Sequence, residues 1–131
     1  MVVAVLAGCA SPEPKVAPGD PLSGTRWSLV SIGGSPVLAS ESTSMLFDTG
    51  RLAGSDGCNR YATKYTAWEN HLKISANVVS TRMACSPPVM DEAATFLSLL
   101  ERTGGFRRDG NRMTLLDGEG RPLAAFQRIE P

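Results

Sequence analysis

Apolar and polar positions alternate on a period of two in several short runs of this chain, and only one run repeats on a helical period. Thr25-Arg26-Trp27-Ser28-Leu29-Val30-Ser31-Ile32 is rich in β-branched and aromatic residues and closes on Gly33-Gly34, which predicts a strand entering a turn. Ser44–Asp48 predicts a second strand, Thr49-Gly50 its turn, and Arg51–Ser55 the hairpin partner. Residues 61–66 alternate aromatic and polar side chains, and His71–Ile74 alternates in the same way, as half-buried strands do. Residues 77–81 predict a further short strand. Residues 106–109 and 112–116 flank Asp109-Gly110-Asn111, and Asp117-Gly118-Glu119-Gly120 leads into residues 123–129, so two more hairpins close the chain.

The helical run follows Ser86. That serine is a candidate N-cap, Pro87 fits a first helical turn, and Asp91 and Glu92 lie towards the positive end of the helix dipole. Val89, Ala93, Phe96, Leu97 and Leu100 share one face, and Gly104-Gly105 is expected to end a helix over about residues 87–103. The expected fold is therefore α+β: a mostly antiparallel sheet or open barrel of about seven or eight strands, covered by one helix. No βαβ rhythm and no internal repeat is present.

The amino terminus has a different texture. Seven of the first eight residues are apolar and end in Leu6-Ala7-Gly8-Cys9. This resembles the lipobox of bacterial lipoproteins, in which small residues precede a cysteine that is lipidated before cleavage. Cys9 is then the first residue of the mature protein, and its diacylglycerol gains roughly 0.8 kcal/mol per buried CH₂. Residues 1–8 lack the basic start of a signal peptide, so they are read as a remnant whose true start lies further upstream. Residues 9–23 are read as the lipidated cysteine and a tether: Pro12, Pro14, Pro18 and Pro21 favour extended polyproline II, which reaches roughly 3.1 Å per residue. The folded domain is expected over residues 24–131. Ala10, where an aspartate would signal inner-membrane retention in enteric-type sorting, points to the outer membrane, facing the periplasm.

Composition narrows the function classes. In 131 residues, 13 Lys+Arg balance 13 Asp+Glu, and the basic groups are scattered rather than striped, which argues against nucleic-acid binding. One histidine and three cysteines are too few for a metal site, and no cofactor motif is present, since the glycine-rich turns lack the Lys-Ser/Thr of a phosphate loop. No run reaches the roughly 18 apolar residues of a spanning helix.

Four motifs occur in order: Trp27-Ser28-Leu29; Gly54-Ser55-Asp56-Gly57-Cys58-Asn59-Arg60-Tyr61; Thr81-Arg82-Met83-Ala84-Cys85; and a helix with Glu92 and Phe96. Together they resemble the META domain family, the HslJ-like module of bacterial envelope lipoproteins. The family residues carried over are Trp27, Gly54, Gly57, Cys58, Asn59, Tyr61, Thr81, Met83, Ala84, Cys85, Glu92 and Phe96. The resemblance implies a compact β-rich domain with one helix, an envelope location, and a loose association with heat stress and novobiocin resistance. It brings no catalytic residue.

The residues themselves leave alternatives open. Gly54 and Gly57 suit positive φ or close backbone approach, and Asp56 and Asn59 suit turn bonding, so the central motif is a structural corner first and a ligand-recognising loop second. Met83 reads as core filler before binding surface. In an oxidising compartment Cys58 and Cys85 are expected to pair as a disulfide, with free buried thiols or a reactive or metal-binding role as alternatives. His71 reads as a surface residue, and neither Ser55 nor Ser80 sits in a nucleophile signature. Arg107, Arg108 and Arg112 give the last hairpins a basic face, either simply solvated or in contact with anionic headgroups.

The expected protein is a non-enzymatic, lipid-anchored envelope protein, monomeric, that supports stress or antibiotic tolerance by binding an envelope component or small molecule. A periplasmic hydrolase or thiol enzyme is the first alternative, and a partner in envelope protein assembly the second.

Overall fold

The computed structural model describes residues 19–38 and 42–129. The lipobox with Cys9, and the tether as far as Pro18, lie outside the described residues. Ten strands and one helix follow in order: β1 (Thr25–Ile32), β2 (Ser35–Pro36), β3 (Ser44–Asp48), β4 (Arg51–Ser55), β5 (Arg60–Trp68), β6 (His71–Ile74), β7 (Val79–Ser80), α1 (Pro87–Arg102), β8 (Thr103–Asp109), β9 (Arg112–Asp117) and β10 (Pro122–Arg128). Eight of the strands form an antiparallel ring, β1-β3-β4-β5-β6-β8-β9-β10, and the ring closes because β10 pairs with β1. In that closing pair Trp27 faces Arg128 and Leu29 faces Phe126. The mostly antiparallel α+β fold expected from the pattern is present, and closure removes the two long edges that an open sheet would leave unpaired. The two-residue strands β2 and β7 lie outside the ring, β2 on β1 and β7 on β5.

Period-two alternation fills the interior. Along β5, Tyr61, Thr63, Tyr65 and Ala67 point inward while Arg60, Lys64, Thr66 and Trp68 face solvent. Trp27, Leu29, Met45, Phe47, Leu52, Leu72, Met113, Leu115 and Phe126 complete a fully buried centre. The Phe96 ring of α1 lies 5.8 Å from Tyr61 and 6.4 Å from Phe126. Those two rings stand on β5 and β10, opposite each other around the barrel, so α1 closes one mouth and Phe96 fills the space beneath it.

Several local expectations are revised. The buried face of α1 is Ala93, Phe96, Leu99 and Leu100, with Val89 and Leu97 only half-buried. Ser86 has N-cap backbone geometry, yet its side chain makes no capping bond; its carbonyl accepts from the Met90 N–H at 3.0 Å. Pro87-Pro88-Val89-Met90 fill the first turn, so Asp91 and Glu92 lie one turn further in, and the Glu92 carboxylate instead accepts the Leu38 N–H. The helix ends at Arg102 without using Gly104-Gly105, which belong to β8. Their lack of a side chain serves close approach: a Cβ on Gly104 would stand 2.8 Å from the Gly118 Cα, and one on Gly105 would stand 2.9 Å from the Asn70 carbonyl oxygen.

The other mouth is sealed by residues that the sequence places in the tether. Leu22 is fully buried. Asp20 Oδ1 accepts the N–H groups of Leu22 and Ser23, and its Oδ2 accepts the Tyr65 hydroxyl at 2.9 Å. Thr25 Oγ1 donates to the Leu22 carbonyl at 2.7 Å and in turn accepts Trp27 Nε1–H at 2.8 Å. Packing therefore begins before Gly24.

Candidate functional site

The residues of the central motif meet at one corner, where Cys58 and Cys85 form a disulfide with Cα atoms 6.0 Å apart. Gly57 has φ +101°, a conformation side-chain-bearing residues rarely adopt. Asp56, almost fully buried, accepts the N–H groups of Cys58 (2.9 Å) and Asn59 (2.6 Å), which folds the loop upon itself. Asn59 then reaches across to the second motif. Its Oδ1 accepts the Met83 N–H at 2.6 Å and the Thr81 hydroxyl at 2.9 Å, while Thr81 Oγ1 accepts the Arg60 N–H at 3.1 Å. Nearby, the Tyr61 hydroxyl donates to the Ser44 carbonyl at 2.7 Å, and a Cβ on Gly54 would stand 2.2 Å from the same oxygen. Asp56 Oδ1, the Asn59 carboxamide and the Thr81 hydroxyl are thus spent within the corner, as a structural role requires. Met83 differs from expectation: it is 60% exposed, because both its main-chain groups face Asn59 and its side chain is turned outward.

Beside this corner, the outer wall of the barrel is hollowed into an open groove of about 750 Å³. Strand register explains its floor. Arg26 pairs with Leu46, Leu46 with Ala53, Ala53 with Ala62, and Ala62 with Val79, so five outward positions form one row across β1, β3, β4, β5 and β7. At roughly 4.8 Å between strands, the row is about 19 Å long. Alanines at its centre leave the hollow, and Leu46 (38% exposed) and Val79 (68% exposed) add apolar surface. Arg51 and Arg60 flank the row on opposite sides, Arg51 level with Lys64 and Arg60 level with Ser55. Ser44, Ser55, Ser80 and Thr81 add hydroxyl-bearing residues to the lining, which holds three arginines and no carboxylate. Asp48 stands opposite Arg51 on β3, but among the described residues the only ion pairs are those of Arg121 with Asp117 and Glu119. A groove of this kind can seat an apolar body and hold an anionic group beside it.

Of the twelve family residues carried over, Gly54, Tyr61 and Thr81 line this groove; the others do not. Arg26, Leu46, Arg51, Ala53, Arg60, Ala62 and Val79 were not singled out by sequence reasoning. Each occupies an outward strand position, which in a single strand reads as ordinary solvated surface. The available signal was the small apolar residue at both Ala53 and Ala62, where an outward face is usually polar.

Other candidates carry less. His71 is exposed and stacks on Trp68, ring centres 5.0 Å apart. Burial pushes the Tyr61 phenol well above the ordinary tyrosine range, with the Asp56 charge adding to it, so this hydroxyl stays protonated as a hydrogen-bond donor. Asp117 anchors the last turn; backbone donors from Arg121 and Glu119 and the Arg121 side chain hold its carboxyl below the usual value. Among the described residues no group of three or more His, Cys, Asp or Glu is placed to hold a metal ion.

The fold and corner define a disulfide-clasped, eight-stranded antiparallel barrel capped by one helix. A family model, the META domain, matches residues 20–130, and the chain belongs to that family. Solved structures agree on the fold. A protein from Burkholderia xenovorans, solved by NMR, is 22% identical and superposes with a TM-score of 0.65 over 100% of both chains. A second NMR structure is 23% identical, TM-score 0.63, over 81% of this chain and 90% of that one. A crystal structure of a DUF4847 family protein from Bacteroides vulgatus is 12% identical, TM-score 0.64, over 85% of this chain and 96% of that one. No curated protein matches the sequence.

Proposed function

We propose that this chain is a non-enzymatic, membrane-tethered lipoprotein of the bacterial envelope, whose META domain supports stress or antibiotic tolerance by binding an envelope component or small molecule in the groove. The observation that carries the binding role is the groove itself: a concave, partly apolar wall with three arginines and no carboxylate in its lining. The anchor rests on Leu6-Ala7-Gly8-Cys9 and the proline-rich residues behind it. Cys9 carries the lipid, and Ala10 favours the outer membrane, with the domain facing the periplasm. A thiol enzyme is disfavoured because Cys58 and Cys85 are consumed in the disulfide.

The test has two parts. Expression in a bacterial host that processes lipoproteins, membrane fractionation and mass spectrometry of the amino terminus should find an acylated Cys9 in the outer membrane. A soluble protein with an unmodified Cys9 overturns the anchor. In a strain lacking the gene, the wild-type chain should restore growth under heat or novobiocin. An Arg51→Gln/Arg60→Gln chain should fail, whereas an Arg107→Gln/Arg112→Gln chain, altered on other strands, should succeed. Full rescue by the groove variant removes the groove from the function.

A further inference from the structure

We infer that the groove takes a single-chain amphiphile bearing an oxyanion head, a phosphate or a carboxylate, as an individual molecule; this rests on the groove being the binding site. Charge complementarity selects the head. The chain as a whole is electrically balanced, yet the lining concentrates Arg26, Arg51 and Arg60 without an acidic residue. Guanidinium groups fit carboxylate and phosphate oxygens in a planar, two-pronged geometry that a neutral ligand does not use.

The cross-strand row selects the body. Leu46, Ala53, Ala62 and Val79 lie in one line across four neighbouring strands, a narrow apolar track rather than a round pocket. A flexible chain can follow such a track, with its length set along the row and its head drawn to whichever arginine closes the end or side. Arg26 stands at the β1 end of the row, and Arg51 and Arg60 stand at its two flanks. The side chains between them are too small to fill the hollow, which is why about 750 Å³ stays open to solvent, a volume within the range of small-molecule sites.

Concavity selects the mode. A flat lipid surface touches the rims of such a trough, where the exposed Arg51 and Arg60 flank the row, and leaves the small Ala53 and Ala62 side chains of its floor uncovered. One amphiphile lying along the trough satisfies the apolar floor and the cations together. Carboxylate and phosphate heads share this chemistry, and the probes below tell them apart.

The experiment titrates the full mature chain, disulfide intact, with dodecyl phosphate and with laurate below their micellar concentrations, following backbone amide NMR shifts. Dodecyl maltoside, inorganic phosphate and vesicles of anionic phospholipid serve as comparisons. Saturable shifts confined to residues around Ala53, Ala62 and Val79 are expected with dodecyl phosphate or laurate, and the tighter of the two names the head. Arg51→Gln/Arg60→Gln should weaken that binding at least tenfold. Ala53→Leu, which fills the floor without changing charge, should weaken it severalfold while the fold is kept. Inorganic phosphate should bind far more weakly than the dodecyl ester. Equal binding of dodecyl maltoside, unaffected by the arginine changes, overturns the oxyanion assignment while leaving the groove as a ligand site. Vesicle binding without monomer binding overturns the single-molecule mode. Absence of groove shifts with every probe overturns the groove reading altogether.

Discussion

Asn59 shows how one side chain can replace a stretch of sheet. After the Thr81 N–H bonds to the Arg60 carbonyl of β5, the segment to Cys85 lies outside any strand, and the Asn59 carboxamide supplies an acceptor for the Met83 N–H and the Thr81 hydroxyl. At about 1 kcal/mol net for each ordinary hydrogen bond, Asn59→Ala should lower unfolding free energy by roughly 1–3 kcal/mol. Denaturant melts at constant pH would read it, with the slope unchanged. Tyr65 makes a second prediction at this scale. Burial, aided by its bond to Asp20, raises the phenol from its ordinary value near 10 to about 12. A raised folded-state value means that its contribution to stability is complete below pH 10 and is lost as pH rises from about 10 through 12. Stability should fall across that window, and Tyr65→Phe should flatten the fall while removing the bond to Asp20. An unchanged alkaline profile in the phenylalanine variant would assign the loss to other groups.

Among the elements, the disulfide connects pieces that hydrogen bonding joins only lightly. The link between β5 and the segment entering α1 rests on the two-residue pairing with β7, on two bonds between Arg60 and Thr81, and on the Asn59 bonds. Cross-linking Cys58 to Cys85, 27 positions apart, restricts the unfolded chain by about 3.5 kcal/mol in the loop-entropy account. A Cys58→Ser/Cys85→Ser chain should therefore unfold with roughly 2–5 kcal/mol less free energy and retain its barrel at low temperature, measured by circular dichroism against the oxidised protein. Ligand binding in the groove should survive that change wherever the domain stays folded. The helix poses the reverse case. Its existence is legible from the spacing of Ala93, Phe96 and Leu100, but its task is visible only when Phe96 is seen between Tyr61 and Phe126.

At the scale of the whole molecule, two plugs complete the barrel. Phe96 and its neighbours close one mouth, and Leu22 closes the other, held by Asp20 and Thr25. Leu22→Ala should cost about 2–5 kcal/mol, the usual penalty of truncating a fully buried leucine. A chain beginning at Gly24 should be destabilised at least as much, since it also leaves Tyr65 without Asp20. Thermal unfolding of both variants beside the wild type would show this, and a truncated chain as stable as the full one would refute the plug. The described chain thus enters the barrel at the sealed mouth, past a fully buried leucine.

Alternation in residues 61–66, the hairpin turns at Gly50 and Gly110, and the helical spacing after Ser86 were enough to establish the elements and the α+β class, because these are local properties of a few neighbouring residues. The family motifs likewise marked Gly54, Gly57, Asn59 and the Cys58–Cys85 pair before any contact was known. Closure of the ring was decided only by tertiary structure, since the pairing of Leu29 with Phe126 joins residues nearly a hundred positions apart. So was the role of Leu22, whose proline-rich surroundings read as a tether until a barrel mouth stood in front of it. The groove was least legible of all. Arg26, Leu46, Ala53, Ala62 and Val79 are single outward residues in five strands, and only the cross-strand register sets them in one line.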